Sequence, residues 1–277
     1  MVNESMWKIQ TKVSRAKGDE LLDTIAEHVM SVSFFEGPGG DYWILEGLCE
    51  QEPTPMLGVL EKAYGLEITS EPVPEKNWLE ACKQELQPFT VGPFWVYGSH
   101  VDPSAPKDKI PILMDAATAF GTGEHPTTSG CMRLIAEAKP AQKPLDLGCG
   151  SGILAIAMAK LWQVPVMATD LDPEAVNVAQ SYAERNGVKD LVTCQVAQGV
   201  EKNWGPFDLV VANILAIPLI QLAEKITSIV GPGGAVILSG ILSEQADSVV
   251  AAYAKQGFKL QEKIEDSGWV ALQLHKN

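Results

Sequence analysis

From about residue 126 to the end of the chain, short apolar runs alternate with segments whose apolar residues recur at helical spacing. The apolar runs have the length of buried strands, and the other segments have the length of amphipathic helices. The pattern predicts strands over 144–148, 164–170, 191–197, 207–214 and 235–241, and two more within 258–276. It predicts helices over 126–138, 152–162, 173–187, 215–230 and 243–257. Strands that alternate with helices indicate a parallel sheet, and the two final consecutive strands predict an antiparallel hairpin at one edge.

Residues 1–73 follow a different pattern, in which strand-like and helix-like runs come in the order βαββαβ. The predicted strands cover 7–13, 31–36, 41–48 and 66–73, and the predicted helices cover 19–30 and 54–65. In the first strand, alternate residues share one face: Trp7, Ile9, Thr11 and Val13. This order is that of the ferredoxin-like split βαβ motif, an α+β fold that hosts many functions and therefore predicts none of them.

A Pro-rich, charged stretch over 71–78 separates the two patterns. The 277 residues of the chain also exceed the usual size of a single domain, roughly 100–150 residues. We therefore predict an N-terminal domain over 1–73, a linker over 74–88 and a second domain over 89–277. The second domain begins with two strand-like stretches, 88–100 and 110–115, and the loop after them carries AFGTGEHPTT at 119–128.

Composition and charge narrow the class of protein. The chain is 46% hydrophobic and 20% charged, an ordinary globular balance, and no apolar run approaches the roughly 18 residues of a membrane span. Its first residues lack the layout of a signal peptide, so we expect a cytoplasmic protein without membrane contact. The net charge of −14 disfavours direct binding of nucleic acid and is compatible with a basic protein as partner. The five cysteines lack Cys-x-x-Cys spacing and predict neither a disulfide framework nor a metal site.

The sequence LDLGCGSGI at 145–153 lies where a predicted strand meets a helix. Its glycines, at alternate positions after Asp146, allow a tight turn and a close approach of the backbone to a ligand. A dinucleotide-binding Gly-x-Gly-x-x-Gly would need glycine where Ile153 stands. The Asp146 carboxylate would also repel a pyrophosphate, whereas it favours the ammonium and sulfonium groups of S-adenosylmethionine. We therefore predict an S-adenosylmethionine site formed by Asp146, Gly148, Gly150 and Gly152.

Two acidic residues follow the second strand of this domain's α/β pattern. Asp170 lies 24 residues after Asp146, close to the roughly 20-residue offset of the acid that binds ribose hydroxyls in such sheets. Asp172 precedes Pro173, in the position of a helix N-cap. We predict that Asp170 binds the cofactor and that Asp172 caps the helix.

Asn213 ends the fourth strand, at the sheet edge where ligands bind in open α/β folds. Methyltransferases that modify planar nitrogens have Asn-Pro-Pro-Tyr at this place. The asparagine carbonyl can accept a hydrogen bond from an amino group and aim the nitrogen lone pair at a methyl carbon. Ile214, Leu215 and Ala216 follow here, so the aromatic ring that would stack on a flipped base is absent and a nucleobase substrate is disfavoured.

The loop before the first predicted helix supplies the remaining candidates. Hydroxyls and free amides at the helix start, including those of Thr128, are candidate ligands for the methionine carboxylate of the cofactor. Phe120 is a candidate wall of the methyl-transfer site, and His125 is predicted to be structural rather than a base. We therefore predict Asn213 and Phe120 as catalytic residues, with Thr128 and Asn213 also in the cofactor site.

Together these motifs predict an enzyme, an S-adenosylmethionine-dependent methyltransferase. The predicted fold class is α/β, with a seven-stranded Rossmann-like methyltransferase domain preceded by the small α+β ferredoxin-like domain. The terminal strand pair is what separates methyltransferase sheets from the ordinary dinucleotide-binding fold.

The sequence resembles the ribosomal protein methyltransferase A family, whose members methylate ribosomal protein eleven of the large subunit. The resemblance is carried by segments at 119–128, 145–161, 168–176, 184–188, 210–223 and 238–242. It implies N-methylation of lysine side chains or the N-terminal amine of that basic protein, with the domain over 1–73 capturing the substrate. It implies cofactor contacts through Thr128, Gly148, Asp170 and Asn213. Two positions depart from the family: Cys82 stands in place of a second tryptophan, and Ala116 in place of a proline.

Three alternative functions fit parts of the sequence. A methyltransferase of another protein or of a small-molecule amine would share every cofactor motif. A nicotinamide-dependent oxidoreductase is disfavoured by Ile153 and by the terminal strand pair. A non-catalytic protein that binds S-adenosylmethionine is disfavoured by Asn213 and the intact glycine loop.

Overall fold

The computed structural model describes residues 7–14, 29, 31–36, 42–49, 52–53, 58, 62, 64–73, 87–101, 106–115, 125–201 and 203–277. The chain forms two compact units, Met1–Ala81 and Cys82–Asn277. The division between them falls inside the linker predicted over 74–88. Cys82, Ala116 and Phe120, which the sequence singles out, lie outside the described residues.

The smaller unit contains a four-stranded antiparallel sheet in its described part. The strands are β1 Trp7–Val13, β2 Ser31–Glu36, β3 Trp43–Cys49 and β4 Ile68–Pro72, in the order β2-β3-β1-β4. Alternate residues of β1 and β3 face one apolar core, which contains Ile9, Val13, Leu45, Cys49 and Ile68. The four predicted strands are thereby confirmed. Of the predicted helix over 19–30 only Val29 is described, in a bend, so the ferredoxin-like assignment stays a prediction.

The described residues of the larger unit form two sheets and five α-helices. A three-stranded sheet consists of β5 Phe89–Val91, β6 Phe94–Tyr97 and β7 Ile110–Leu113. The seven strands of the main sheet are β8 Pro144–Leu147, β9 Val166–Asp170, β10 Val192–Val196, β11 Phe207–Asn213, β12 Val230–Leu242, β13 Phe258–Asp266 and β14 Trp269–Lys276. The helices are α1 Pro126–Glu137, α2 Ile153–Trp162, α3 Pro173–Arg185, α4 Ala216–Ile229 and α5 Ala246–Ala254. None of these helices has the length and apolar character needed to cross a membrane.

The main sheet has the order β10-β9-β8-β11-β12-β14-β13. β8 to β12 are parallel to their neighbours in that group, and β14 runs antiparallel to both β12 and β13. This order confirms the predicted seven-stranded Rossmann-like fold with a terminal hairpin. Neighbouring residues alternate between two cores, as Val210 and Val211 do in β11. Because parallel strands share one carboxyl edge, the residues that follow β8, β9, β10 and β11 meet there.

Two predicted boundaries differ from the structure. The stretch 88–100 is predicted as one strand, but Gly92, with a left-handed φ of 53°, forms a turn that splits it into β5 and β6. The residues 231–234, which the sequence leaves between the predicted helix over 215–230 and the predicted strand over 235–241, lie within β12. There Val230 pairs with Phe207, and the next paired residue is Ala235, so the intervening segment bulges from the ladder.

Candidate active site

A cavity of about 710 Å³ opens at the carboxyl edge of the main sheet. This volume is typical of small-molecule sites, which range over about 300–1,000 Å³. Its walls come from the loop after β8, the ends of β9, β10 and β11, the first turn of α1 and one face of α4. Five of the predicted cofactor-binding residues line it: Thr128, Gly148, Gly150, Asp170 and Asn213. The other two, Asp146 and Gly152, are not part of the lining.

The glycine loop joins β8 to α2 through left-handed backbone conformations. The φ angles are 75° at Gly148, 51° at Gly150 and 80° at Gly152. A Cβ at Gly148 would lie 2.6 Å from the Ile214 side chain, and one at Gly152 would lie 2.8 Å from the Ala179 Cβ. All three glycines suit the turn, and at Gly148 and Gly152 other parts of the protein also pack directly against the loop and leave no room for a side chain.

Asp146 lies beneath this loop, fully buried. Its Oδ2 accepts a hydrogen bond from the Ala155 amide at 2.9 Å, which ties β8 to the first turn of α2. Its Oδ1 has no hydrogen-bond partner among the described residues. Burial raises the pKa of Asp146 to about 7; the Ala155 N–H opposes this rise and the charge of Asp170 adds to it. Asp146 thus supports the loop from behind, and its carboxyl group is only partly ionised at neutral pH.

Replacing Asp146 by asparagine should flatten the pH dependence of stability. The folded-state pKa of about 7 lies above the ordinary value of 3.8, so between these values the folded chain binds more protons than the unfolded chain. The contribution of Asp146 to the free energy of unfolding therefore falls as pH rises from about 4 to 7, by up to about 4 kcal/mol. Urea denaturation should show Asp146→Asn about as stable as wild type near pH 4.5 and more stable near pH 8. If the free energies of unfolding of wild type and Asp146→Asn differed by the same amount at every pH in this range, the raised pKa of Asp146 would be contradicted.

Asp170 and Asp172 have separate structural roles. Asp170 lines the cavity, and its Oδ2 accepts a hydrogen bond from the Gly150 amide at 2.9 Å. Asp172 is the N-cap of α3, because its Oδ1 accepts from the Glu174 amide at 2.8 Å. The predicted cap is confirmed, and Asp170 is the carboxylate that faces the cavity.

Asn213 and Thr128 meet in the cavity wall although 85 residues separate them in sequence. The Asn213 Nδ2 donates a hydrogen bond to the Thr128 hydroxyl at 3.2 Å, which orients the amide group. The Asn213 Oδ1 is buried and has no hydrogen-bond partner among the described residues. The wall therefore contains an oriented carbonyl oxygen, Asn213 Oδ1, that can accept a hydrogen bond from an N–H or O–H donor.

His125 is the N-cap residue of α1. Its Nδ1 lies 3.4 Å from the Thr127 amide and 2.8 Å from the Thr127 hydroxyl. Its ring also packs edge-on against Trp269, with the centroids 5.1 Å apart. These contacts support the predicted structural role of His125.

Comparison with known proteins relates this site to a family. The family model described as ribosomal protein L11 methyltransferase (PrmA) matches residues 51–277. The chain belongs to the ribosomal protein L11 methyltransferase family. Curated relatives of that name include one from Brucella suis, 45% identical over 212 residues and 74% of each chain. Another, from Sinorhizobium fredii, is 45% identical over 218 residues, 76% of this chain and 75% of the relative. The crystal structure of a ribosomal protein L11 methylase from Lactobacillus delbrueckii subsp. bulgaricus matches with a TM-score of 0.64 and 33% identity, over 69% of this chain and all of that chain.

Membership of the L11 methyltransferase family confirms the predicted enzyme class and its cofactor, S-adenosylmethionine. The cavity fits this cofactor. The Asp170 carboxylate stands at the end of β9, where a ribose-binding acid belongs in such sheets. Two lining residues, Thr169 and Asn213, carry buried oxygen atoms without partners among the described residues, and such unsatisfied polar atoms beside a cavity favour a polar ligand.

Two further cavity walls contain none of the predicted cofactor-binding residues. The segment 197–199 follows β10 and could have been found from its position at the carboxyl edge of the sheet. One face of α4 closes another side and becomes apparent only once the helix is packed. Its lining residues recur at helical spacing: Pro218, Gln221, Leu222 and Lys225.

An ion pair and two hydrogen bonds join the end of α3 to the end of β7. Arg185 Nη2 lies 2.8 Å from Asp115 Oδ2, and the Asn186 side chain bonds both the amide and the carbonyl of Leu113 at 2.9 Å. Burial alone would raise the pKa of Asp115, but the Ser99 N–H and the Arg185 guanidinium hold it below its ordinary value. These contacts hold the end of β7, which precedes the AFGTGEHPTT motif in the sequence.

Replacing Asp170 by alanine should weaken S-adenosylmethionine binding by roughly ten- to a hundredfold. Hydrogen bonds to a charged acceptor contribute about 1.5–3 kcal/mol, and the Gly150 amide would also lose its partner. Calorimetric titration measures the Kd. The matched control is Asp172→Ala, which should cost about 0.5–2 kcal/mol of stability through the lost cap and leave the Kd nearly unchanged. If Asp172→Ala weakened binding more than Asp170→Ala, the ribose-binding acid would be Asp172.

Proposed function

We propose that this chain transfers methyl groups from S-adenosylmethionine to amino groups of ribosomal protein L11, on lysine side chains, the N-terminal amine, or both. The larger unit would bind the cofactor and perform the transfer, and the smaller unit would capture the protein substrate. The names of the curated relatives support this substrate. The observation that carries the proposal is the buried Asn213 Oδ1, held in the cavity wall without a partner among the described residues.

The cofactor would be held by residues of the cavity wall and of the loop beneath it. Asp170 would accept hydrogen bonds from ribose hydroxyls, and the first turn of α1, with Thr128, would hold the methionine carboxylate. Gly148 and Gly150 would allow the ligand close to the backbone, while Asp146 and Gly152 support the loop. When bound, S-adenosylmethionine supplies a methyl group on a sulfonium that is already a strong electrophile, so the transfer requires no Lewis acid.

The remaining task of the protein is to present a neutral, oriented amine. A lysine of pKa ~10.4 is neutral about once in 2,500 molecules at pH 7, a cost of roughly 4–5 kcal/mol. Orientation in a closed site contributes about 7–11 kcal/mol, which exceeds that cost. By accepting an amine N–H, the Asn213 Oδ1 would orient the nitrogen lone pair. It would also recover the roughly 1–3 kcal/mol lost when a buried acceptor has no donor. Phe120 is proposed as a further wall of this position.

The charge of the chain suits the proposed substrate. A net charge of −14 attracts a basic protein and disfavours direct binding to nucleic acid. Since the substrate is a ribosomal protein, we also propose that the reaction takes place in the cytoplasm.

The test is to incubate the full-length chain with labelled S-adenosylmethionine and purified ribosomal protein L11, and to locate the methyl groups by mass spectrometry. We expect methylated amines on L11 and one S-adenosylhomocysteine released for each methyl added. Asn213→Ala serves as the control for contaminating activity. Cofactor turnover on other proteins, with L11 left unmodified, would contradict the proposed substrate.

A further inference from the structure

Leu215, in the connection between β11 and α4, and Ile217, in the first turn of α4, present large apolar side chains to solvent. Leu215 is 68% exposed and Ile217 is 65% exposed. Both line a groove of about 380 Å³, which we call the Leu215 groove. Its other lining residues are Ala216, Pro218, Gly240, Leu242, Gln245 and Trp269. None of these residues carries a charge, so the groove suits an apolar occupant.

The Leu215 groove adjoins the cofactor cavity. Pro218 lines both. Asn213 and Ile214 line the cavity, and Leu215, the next residue, lines the groove. Two residues of chain span at most about 7 Å, so part of the lining of the groove lies within about 7 Å of Asn213 along the backbone. Gly240, with a φ of 81°, packs against the Ile214 backbone and holds the end of β12 beside this connection.

We infer that the Leu215 groove binds apolar side chains of the protein substrate that lie next to the amine to be methylated. The inference rests on the proposed function, because it concerns a polypeptide whose amine reaches Asn213. Such a polypeptide must continue past the entrance of the adjoining groove. Charge attraction between an acidic enzyme and a basic substrate increases the rate of encounter, but it does not select one amine among many. An apolar groove next to the transfer position supplies that selection.

The size of the groove favours a bound segment over a second copy of this chain. A volume of about 380 Å³ holds a few side chains, whereas stable protein interfaces bury about 1,600 Å² in total. The exposed large apolar residue that follows on α4, Ile220, is 38% exposed and lines neither the groove nor the cavity. On α4, the most exposed large apolar side chain is thus at the start of the helix, beside the cavity.

The experiment compares Leu215→Ser and Ile217→Ser with Ile220→Ser, a control on the same helix, all in the full-length chain. The KM for ribosomal protein L11 should rise about ten- to a hundredfold in the first two variants, since each loses a large apolar side chain that the substrate would bury. The Kd for S-adenosylmethionine should stay at the wild-type value, and neither variant should melt below wild type, because both side chains are largely exposed and Leu215→Ser places a favourable N-cap residue at the start of α4. The conservative variants Leu215→Met and Ile217→Val should restore the KM to within about threefold of wild type.

Several outcomes would overturn the inference. One is a KM for L11 that changes no more in Leu215→Ser and Ile217→Ser than in Ile220→Ser. Another is a wild-type dimer that these substitutions convert to a monomer with the KM unchanged, which would make a second copy the occupant. The proposed function fails separately, when the wild-type chain itself does not methylate L11.

Discussion

Replacing Asn213 by alanine is expected to lower kcat for methylation of L11 by about a hundredfold or more. The variant loses the carbonyl acceptor that would orient the amine, and misplacement of a reacting group by about 1 Å can cost on the order of a hundredfold. Cofactor binding should suffer less, about tenfold at most, because a neutral hydrogen bond contributes only about 0.5–1.5 kcal/mol. Single-turnover rates and calorimetric Kd values separate the two effects.

Asn213→Asp is the matched variant for this prediction. Aspartate retains an oxygen acceptor of similar shape but cannot donate to the Thr128 hydroxyl as the Asn213 Nδ2 does. Its kcat should therefore fall between those of wild type and Asn213→Ala. A kcat for Asn213→Ala within threefold of wild type would remove Asn213 from the catalytic machinery and leave it a wall residue of the cofactor cavity.

Removing the smaller unit should separate cofactor binding from substrate capture. A chain consisting of residues 82–277 retains every cavity residue and both cores that flank the main sheet, so it should bind S-adenosylmethionine with unchanged Kd. Its methylation of L11 at micromolar concentration should fall by roughly a hundred- to a thousandfold. The reason is that tethering raises the local concentration of a bound substrate to about the millimolar range.

Short lysine peptides provide the control for the shortened chain. They do not present a folded surface for the smaller unit to bind, so their slow methylation should change much less than that of L11. Equal activity of both chains on intact L11 would contradict the capture role of the smaller unit. Loss of cofactor binding in the shortened chain would instead mean that the two units fold cooperatively.

Much of the main sheet and of its edge could be predicted from the sequence because the decisive interactions are local. The five strands β8 to β12 along the chain were recognisable as apolar runs, most of them separated by segments of helical periodicity. The cap at Asp172 acts on an amide only two residues away. The turn after β8 needs left-handed backbone at three nearby glycines, a requirement that the sequence itself expresses. Asp170 and Asn213 lie at strand ends, so the parallel topology alone brings them to one edge.

The positions of the remaining site residues depend on contacts between segments that are far apart in sequence. Asp146 stands in a motif associated with the cofactor, yet β8 is central in the sheet and buried along its length, so the carboxyl group lies beneath the loop with a raised pKa. The Asn213–Thr128 bond joins residues 85 positions apart. The Leu215 groove exists only because the ends of β12 and β14 pack beside the start of α4. The sequence by itself determined the fold class, the cofactor motifs and the family. Tertiary packing alone decided which side chains line the cavity and which support it, because burial and orientation depend on neighbours that local periodicity cannot specify.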